Sequence, residues 1–322
     1  MMTVKQIFDL GLKMGIKSDQ RGEKGVAEYL ANVKKAYDNM KPSDKKYFNK
    51  SLLENPYPDS HIHVTSGKEE VKRVMAGIDI DAAEILVASQ LGERGKPVDL
   101  MLAHHPVGFG LSSLHVVMDM QVDIFVKAGV PVHVAEKIME ERIKEVGRSL
   151  HPANHDRVVD VAKLLKVNLM NTHTITDNLV TEFLNKHLAK RKPKLISDLL
   201  DALLEIPEYQ EAKRRGAGPT LFAGSPNHRV GKYLVEMTGG TSPSDKIYKE
   251  LSQFGISTIV GMHMRDAHRD KASEHYLNVV IAGHMVSDSL GMNLFLDELE
   301  KRGVDIVPCS GLIRICRNNA KK

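Results

Sequence analysis

The run Asp99-Leu100-Met101-Leu102-Ala103-His104-His105-Pro106 constrains this chain more than any other stretch. A short apolar run reads as a buried strand, and Pro106, which has no amide hydrogen, forbids continuation of its ladder. His104 and His105 therefore sit where a strand gives way to a loop, the place where α/β proteins put their chemistry. Neighbours on an extended strand point to opposite faces, but at a turning strand end two imidazoles can converge and ask for a metal ion. The search is then for the remaining ligands.

The surrounding pattern is doubly wound. Strands are predicted over 71–80, 98–103 and 167–170, and helices over 82–91, 118–128, 135–146, 156–165 and 178–189. A second half repeats the design, with strands at 220–223, 232–237, 256–260 and 278–282, the last ending in Gly283-His284. The length of 322 residues suits about two domains. The expected organisation is an N-terminal helical segment over 1–58 packed on the body and a first α/β domain over 59–200 with a helical insert at 114–155. A charged linker over 201–218 and a second α/β domain over 219–322 complete it. The fold class is thus α/β: two related domains with mostly buried sheets flanked by helices, and a metal cleft between them.

Composition narrows the ligand chemistry. The only cysteines are Cys309 and Cys316, too few for a disulfide framework or a thiolate site, so a metal must be held by nitrogen and oxygen. That favours zinc, iron or manganese. The net charge of +4 is mixed along the chain, and the basic clusters at 186–194, 213–215 and 317–322 have no interleaved aromatics and no tryptophan. They read as solvated faces, and nucleic acid is not an expected partner. No run approaches the ~18 apolar residues of a membrane span, and the N-terminus lacks the order of a signal peptide, so a cytoplasmic protein is expected.

Two further termini offer ligands. In Gly283-His284-Met285-Val286-Ser287-Asp288 a helix starting after the glycine puts His284 and Asp288 on one face. Asp177, between the strand at 167–170 and the helix expected at 178–189, is a carboxylate free to leave the core. Singly, each has a plain reading as a packed pair, an N-cap or chance spacing; together, three strand ends deliver five nitrogen and oxygen ligands.

At these residues the sequence resembles a known family, the Nif-like (NGG-interacting-factor-three-like) family, also called type 2 GTP cyclohydrolase I. Its pattern is a strand ending in His-His-Pro, then Thr-His-Thr-x-x-Asp, then Gly-His followed by an acid. Here these are His104-His105-Pro106, Thr172-His173-Thr174-Ile175-Thr176-Asp177 and Gly283-His284 with Asp288. The resemblance implies that His104, His105, Asp177, His284 and Asp288 hold two divalent metal ions with one carboxylate bridging, although position 288 is usually glutamate in the family. It implies a homo-oligomer, a hexameric toroid, and a small-molecule substrate, by its label a nucleotide. Paired ions polarise a substrate oxygen and acidify a shared water, so hydrolysis of a C–N, amide or phosphoester bond is expected. His268 is the first choice for general acid or base, because the family commonly carries a histidine in that loop. Asp59 and His173 are expected just behind the ligands. The alternative is a protein of the same fold that binds metal or a protein partner without turnover.

Two other motifs compete. Asp59-Ser60-His61-Ile62-His63 resembles the His-x-His of amidohydrolases, but that needs a (β/α)₈ barrel, and the segments do not count to eight strand–helix pairs. Thr238-Gly239-Gly240-Thr241 reads first as a turn with an N-cap and second as a phosphate-binding nest.

Overall fold

The computed structural model describes residues 2–67 and 70–318; the end of the basic tail, 319–322, lies outside them. Its centre is a five-stranded sheet in the order Asp305–Pro308, Arg73–Gly77, Leu100–Ala103, Leu169–Thr172, Ser60–Val64. The first four strands run parallel and Ser60–Val64 closes the edge antiparallel. Leu100, Met101, Leu102 and Ala103 are all fully buried, as a parallel strand covered on both faces requires. Alternate side chains go to opposite layers. Leu100 and Leu102 pack with Ile7, Phe8, Phe295 and Leu299, whereas Met101 and Ala103 pack with Ile85, Ala88, Val158 and Ala162.

The second sheet has four strands in the order Thr220–Ala223, Asn278–Ile281, Ile256–Gly261, Lys232–Glu236, parallel except for the antiparallel edge strand Thr220–Ala223. One face of it meets the 114–155 region, where Met118, Phe125 and Met139 pack with Ile259, Val279 and Leu251. The other face, through Val235, Val260 and Val280, meets Val180, Leu184 and Leu290.

Two helices, His173–Arg191 and His284–Glu300, are shared between the sheets. Ile175 and Leu179 of the first, with Phe295 and Leu299 of the second, belong to the core of the five-stranded sheet. Val180 and Leu184, with Val286 and Leu290, belong to the core of the four-stranded one. A helix buried on all sides has to be apolar round its circumference, so the polar groups these helices retain stand out. The N-terminal helix Val4–Lys17 starts on a capping box between Thr3 and Gln6 and buries Ile7 and Phe8 in the first core. Tyr57, fully buried, donates its hydroxyl to Asp19 Oδ2 at 2.7 Å and ties that helical segment down.

The chain departs from the sequence expectation in two places. Residues 201–218, read as a charged linker, fall largely within the helices Ile196–Leu204 and Pro207–Arg214, whose Leu199, Leu203 and Tyr209 are buried; their charges occupy only the outer faces. Asp305–Pro308, expected inside the second domain, returns to pair with Arg73–Gly77 in the first sheet. No described helix is long and apolar enough to cross a membrane, and neither sheet closes into a barrel.

Candidate metal centre

The His104 strand and the two shared helices meet at one point. His104 and His105 follow Ala103, their amides bonded to the Gly77 and Ile78 carbonyls at 2.9 and 3.0 Å, so the strand end is held in place by its neighbour. The first shared helix begins at His173 rather than at 178, which puts Asp177 one turn into it. The threonines of this turn hid that start: Thr176 Oγ1 bonds back to the Thr172 carbonyl and also meets His104 Nδ1 at 2.9 Å. The second shared helix begins at His284, after Gly283 at φ 111°, and Asp288 lies one turn on, as its spacing predicts.

Asp288 is the hub. Its Oδ1 is 3.5 Å from His104 Nε2, and its Oδ2 is 3.4 Å from His105 Nε2 and 3.5 Å from His284 Nε2. His104 Nε2 is also 3.5 Å from Asp177 Oδ1. These separations are long for hydrogen bonds, and both oxygens of Asp288 and Oδ1 of Asp177 are buried with no hydrogen-bond partner. Such orphaned acceptors are costly in a native core. The same spacing is the edge of a tetrahedron of donors about 2.1 Å from a central ion, which is about 3.4 Å. Three overlapping groups here are able to hold a metal: His104 with Asp177 and Asp288, His105 with His284 and Asp288, and His104 with His105 and His173; Asp297, Glu300 and Cys316 form a fourth group among the described residues. Asp288 belongs to the first two.

Electrostatics point the same way. Burial pushes the His104 and His284 imidazoles down to about 4, so both stay neutral, the form that binds a metal. Burial followed by the nearby Asp288 and Asp59 raises Asp177 well above the usual carboxylate range. For Asp288 burial acts upward too, but His104, His105 and His284 outweigh it and hold the carboxyl far down. Like charges this close do not both ionise without a cation.

Behind the ligands, His105 Nδ1 is 2.7 Å from Asp79 Oδ1. Asp59 Oδ2 accepts from His173 Nδ1 at 2.7 Å and Thr174 Oγ1 at 2.6 Å. Such partners fix ring orientation and tautomer. His173 also stands near the ligands, its Nε2 3.9 Å from Asp177 Oδ2 and its ring 5.1 Å from that of His104. The sequence candidates therefore converge with one exception. His268 sits on the helix Asp266–Glu274 with Nδ1 3.2 Å from the Tyr248 hydroxyl, and it does not line the cleft. His61 and His63 also lie elsewhere, His63 bonded to Asn171 and His61 against Phe109.

The cleft over the centre has a free volume of about 50 Å³. Its lining also includes Gln121, Glu236 and His263, which were not singled out from the sequence. Glu236 ends its strand and His263 follows the end of the neighbouring one, with its ring 4.6 Å from that of His284. The rule that found His104, a polar residue at the end of an apolar strand, reaches both. Gln121, on the helix Met120–Ala128, carries no local signal. Its Nε2 donates to the Gly239 and Thr241 carbonyls at 2.6 and 2.7 Å, which places the Thr238-Gly239-Gly240-Thr241 loop on the cleft rim.

These features define the class: an α/β protein whose buried His and Asp groups, gathered between two sheets, could hold a metal ion. No family model and no curated protein matches the sequence. Among solved structures the chain is similar to a NIF3 superfamily protein from Sphaerobacter thermophilus, with 25% identity, a TM-score of 0.74, and coverage of 97% of this chain and 99% of that one. Weaker likenesses include reduced HcgD from Methanocaldococcus jannaschii (14% identity, TM-score 0.47, 77% of this chain and 87% of that one) and a Bacillus cereus protein related to NIF3 (12%, 0.42, 77% and 89%). The chain is NIF3-like, in agreement with the Nif-like resemblance of its motifs.

Proposed function

We propose that this protein is a metal-dependent hydrolase with a dinuclear centre, in which His104, Asp177 and Asp288 hold one divalent ion and His105, His284 and the same Asp288 hold the other. The observation that carries this reading is the Asp288 carboxylate, buried with neither oxygen hydrogen-bonded and with an imidazole nitrogen 3.4–3.5 Å from each. Nitrogen and oxygen donors suit zinc, iron or manganese. Bound there, paired ions supply Lewis acidity and an acidified water. The chain's own contribution is to orient the imidazoles of His105 and His104 through Asp79 and Thr176.

Metal analysis of the purified protein tests this: about two ions per chain are expected. His104→Ala and Asp177→Ala should each lose metal, and Asp288→Asn should lose both ions. Retention of two ions by Asp288→Asn would refute the bridging role. A screen of amides, phosphoesters and nucleotides with added manganese or zinc then tests turnover. The small free volume, about 50 Å³, below the ~300 Å³ of common ligand pockets, favours a second reading, metal binding without turnover. A protein that holds its ions and turns over none of these substrates would establish that alternative.

A homo-oligomer, hexameric by the family resemblance, and a cytoplasmic location belong to the same proposal. Leu86 and Val87 on the helix Ala82–Glu93 and Leu164 on the adjacent helix Arg157–Leu165 are exposed at 49%, 45% and 81%, apolar surface that self-association would cover. Light scattering showing a monomer would remove the assembly.

A further inference from the structure

The cleft lined by Asp177, His284 and Asp288 also contains two buried acceptors with no donor. Gln121 Oε1 and Glu236 Oε2 are both shut off from solvent and neither receives a hydrogen bond. The orientation of the Gln121 amide is fixed, because its nitrogen serves two backbone carbonyls, Gly239 and Thr241. Its oxygen therefore remains an acceptor. Among the described residues no lysine or arginine lines this cleft. Arg142, behind the rim, is committed, with Nε donating to the Ser242 carbonyl at 3.1 Å and Nη1 paired with Glu145 at 2.9 Å. Two unserved acceptors with no lysine or arginine beside them give a phosphate's oxygens no side-chain donor and call for N–H groups.

We propose that Gln121 and Glu236 form a subsite for an uncharged N–H-bearing substrate, an amide or cyclic amide, and that Glu236 is the catalytic residue that moves the proton in its hydrolysis. This rests on the hydrolase reading above and deepens it. An amide nitrogen does not leave as an anion, so a proton must reach it as the bond breaks. Water adds through oxygen to the carbonyl carbon and gives a proton to the Glu236 carboxylate. Glu236 passes that proton to the nitrogen, the C–N bond breaks, and the products are a carboxylic acid and an amine. Burial also pushes the Glu236 carboxyl up to about 7, where it both accepts and donates near neutrality.

The test uses metal-loaded full-length protein with acetamide, N,N-dimethylacetamide, which lacks N–H, and 4-nitrophenyl phosphate. Expected are ammonia release from acetamide, turnover of the dimethyl amide and the phosphate lower by roughly 10²-fold or more, and a Glu236→Gln variant that keeps its ions and KM while kcat falls by roughly 10²–10⁴. Full kcat in Glu236→Gln overturns the role of Glu236 and leaves the hydrolase reading standing. Preference for the phosphate overturns the substrate class alone, and a loaded protein inert toward all three overturns both. A readout independent of turnover is thermal stability. A carboxyl whose folded pKa is raised contributes stability at low pH that is lost as pH rises, so Glu236→Gln should melt higher than wild type at about pH 8 and not at about pH 5. Equal melting at both overturns the claim that this carboxyl is buried without a partner.

Discussion

Gly291 sits where the two shared helices cross, and a single methyl there should open the metal centre. A Cβ at this position would stand 3.0 Å from the Thr176 carbonyl carbon and closer still to its oxygen. Carbon approaches a carbonyl oxygen to about 3.3 Å, so in Gly291→Ala the helices must part by roughly 1 Å. Thr176 adjoins Asp177 and meets His104 Nδ1, while Asp288 lies one turn before Gly291. The separation therefore falls directly between the two carboxylates. Metal sites tolerate about 0.2 Å in ligand distance, so Gly291→Ala should lose metal affinity by about 10²-fold or more. Overpacking should also cost about 1–3 kcal/mol, a fall in melting temperature of roughly 1–2 °C per kcal/mol at this chain size. Gly92 is the control: it is exposed near the end of the helix Ala82–Glu93, and a Cβ there meets nothing within 4 Å. Gly92→Ala should stabilise by about 0.4–1 kcal/mol and leave metal binding alone. Chelator competition and differential scanning calorimetry on the two variants decide the matter. Wild-type metal affinity in Gly291→Ala would refute the reasoning.

Other outcomes follow from the packing. His63, half-buried beside Asn171, is pushed down to about 4 by desolvation. Its neutral form is the one the fold prefers, so its contribution is complete above about pH 6.5 and is lost as pH falls toward about 4. The urea midpoint of wild type should therefore drop more steeply over that window than that of His63→Gln; parallel curves would contradict it. Tyr57→Phe removes the 2.7 Å bond to Asp19, which keeps Arg21 at 2.9 Å as a partner. A loss of about 1–2 kcal/mol is expected in equilibrium unfolding, with metal content unchanged; a neutral substitution would show that Arg21 and Asn178 satisfy Asp19 without it.

The sequence was most informative where burial is complete. Leu100–Ala103 and Asn278–Ile281 are runs that only a doubly covered strand explains, and the residues that follow them, His104 and His284, break the pattern where the chain leaves the core. The His284–Asp288 spacing was legible because helical periodicity alone determines it. What stayed hidden depends on distant partners. Asp305–Pro308 is half exposed and proline-ended, with no signature of its own beyond its pairing with Arg73–Gly77. Charges on the outer faces of 196–214 masked the apolar faces of two helices. His268 was chosen by family habit, and the helix Asp266–Glu274 carries it to Tyr248 instead. Gln121 joins the cleft only because the 114–155 region folds across the second sheet.

The return of Asp305–Pro308 to the first sheet has a mechanical consequence. The four-stranded sheet is an excursion, with departure and re-entry both anchored in the larger body, so a protease nick in the exposed turn at 214–216 would leave the pieces clamped together rather than release a fragment. Any breathing of the cleft is then a flexing against two fixed moorings, and wide swings of one half away from the other are closed to it.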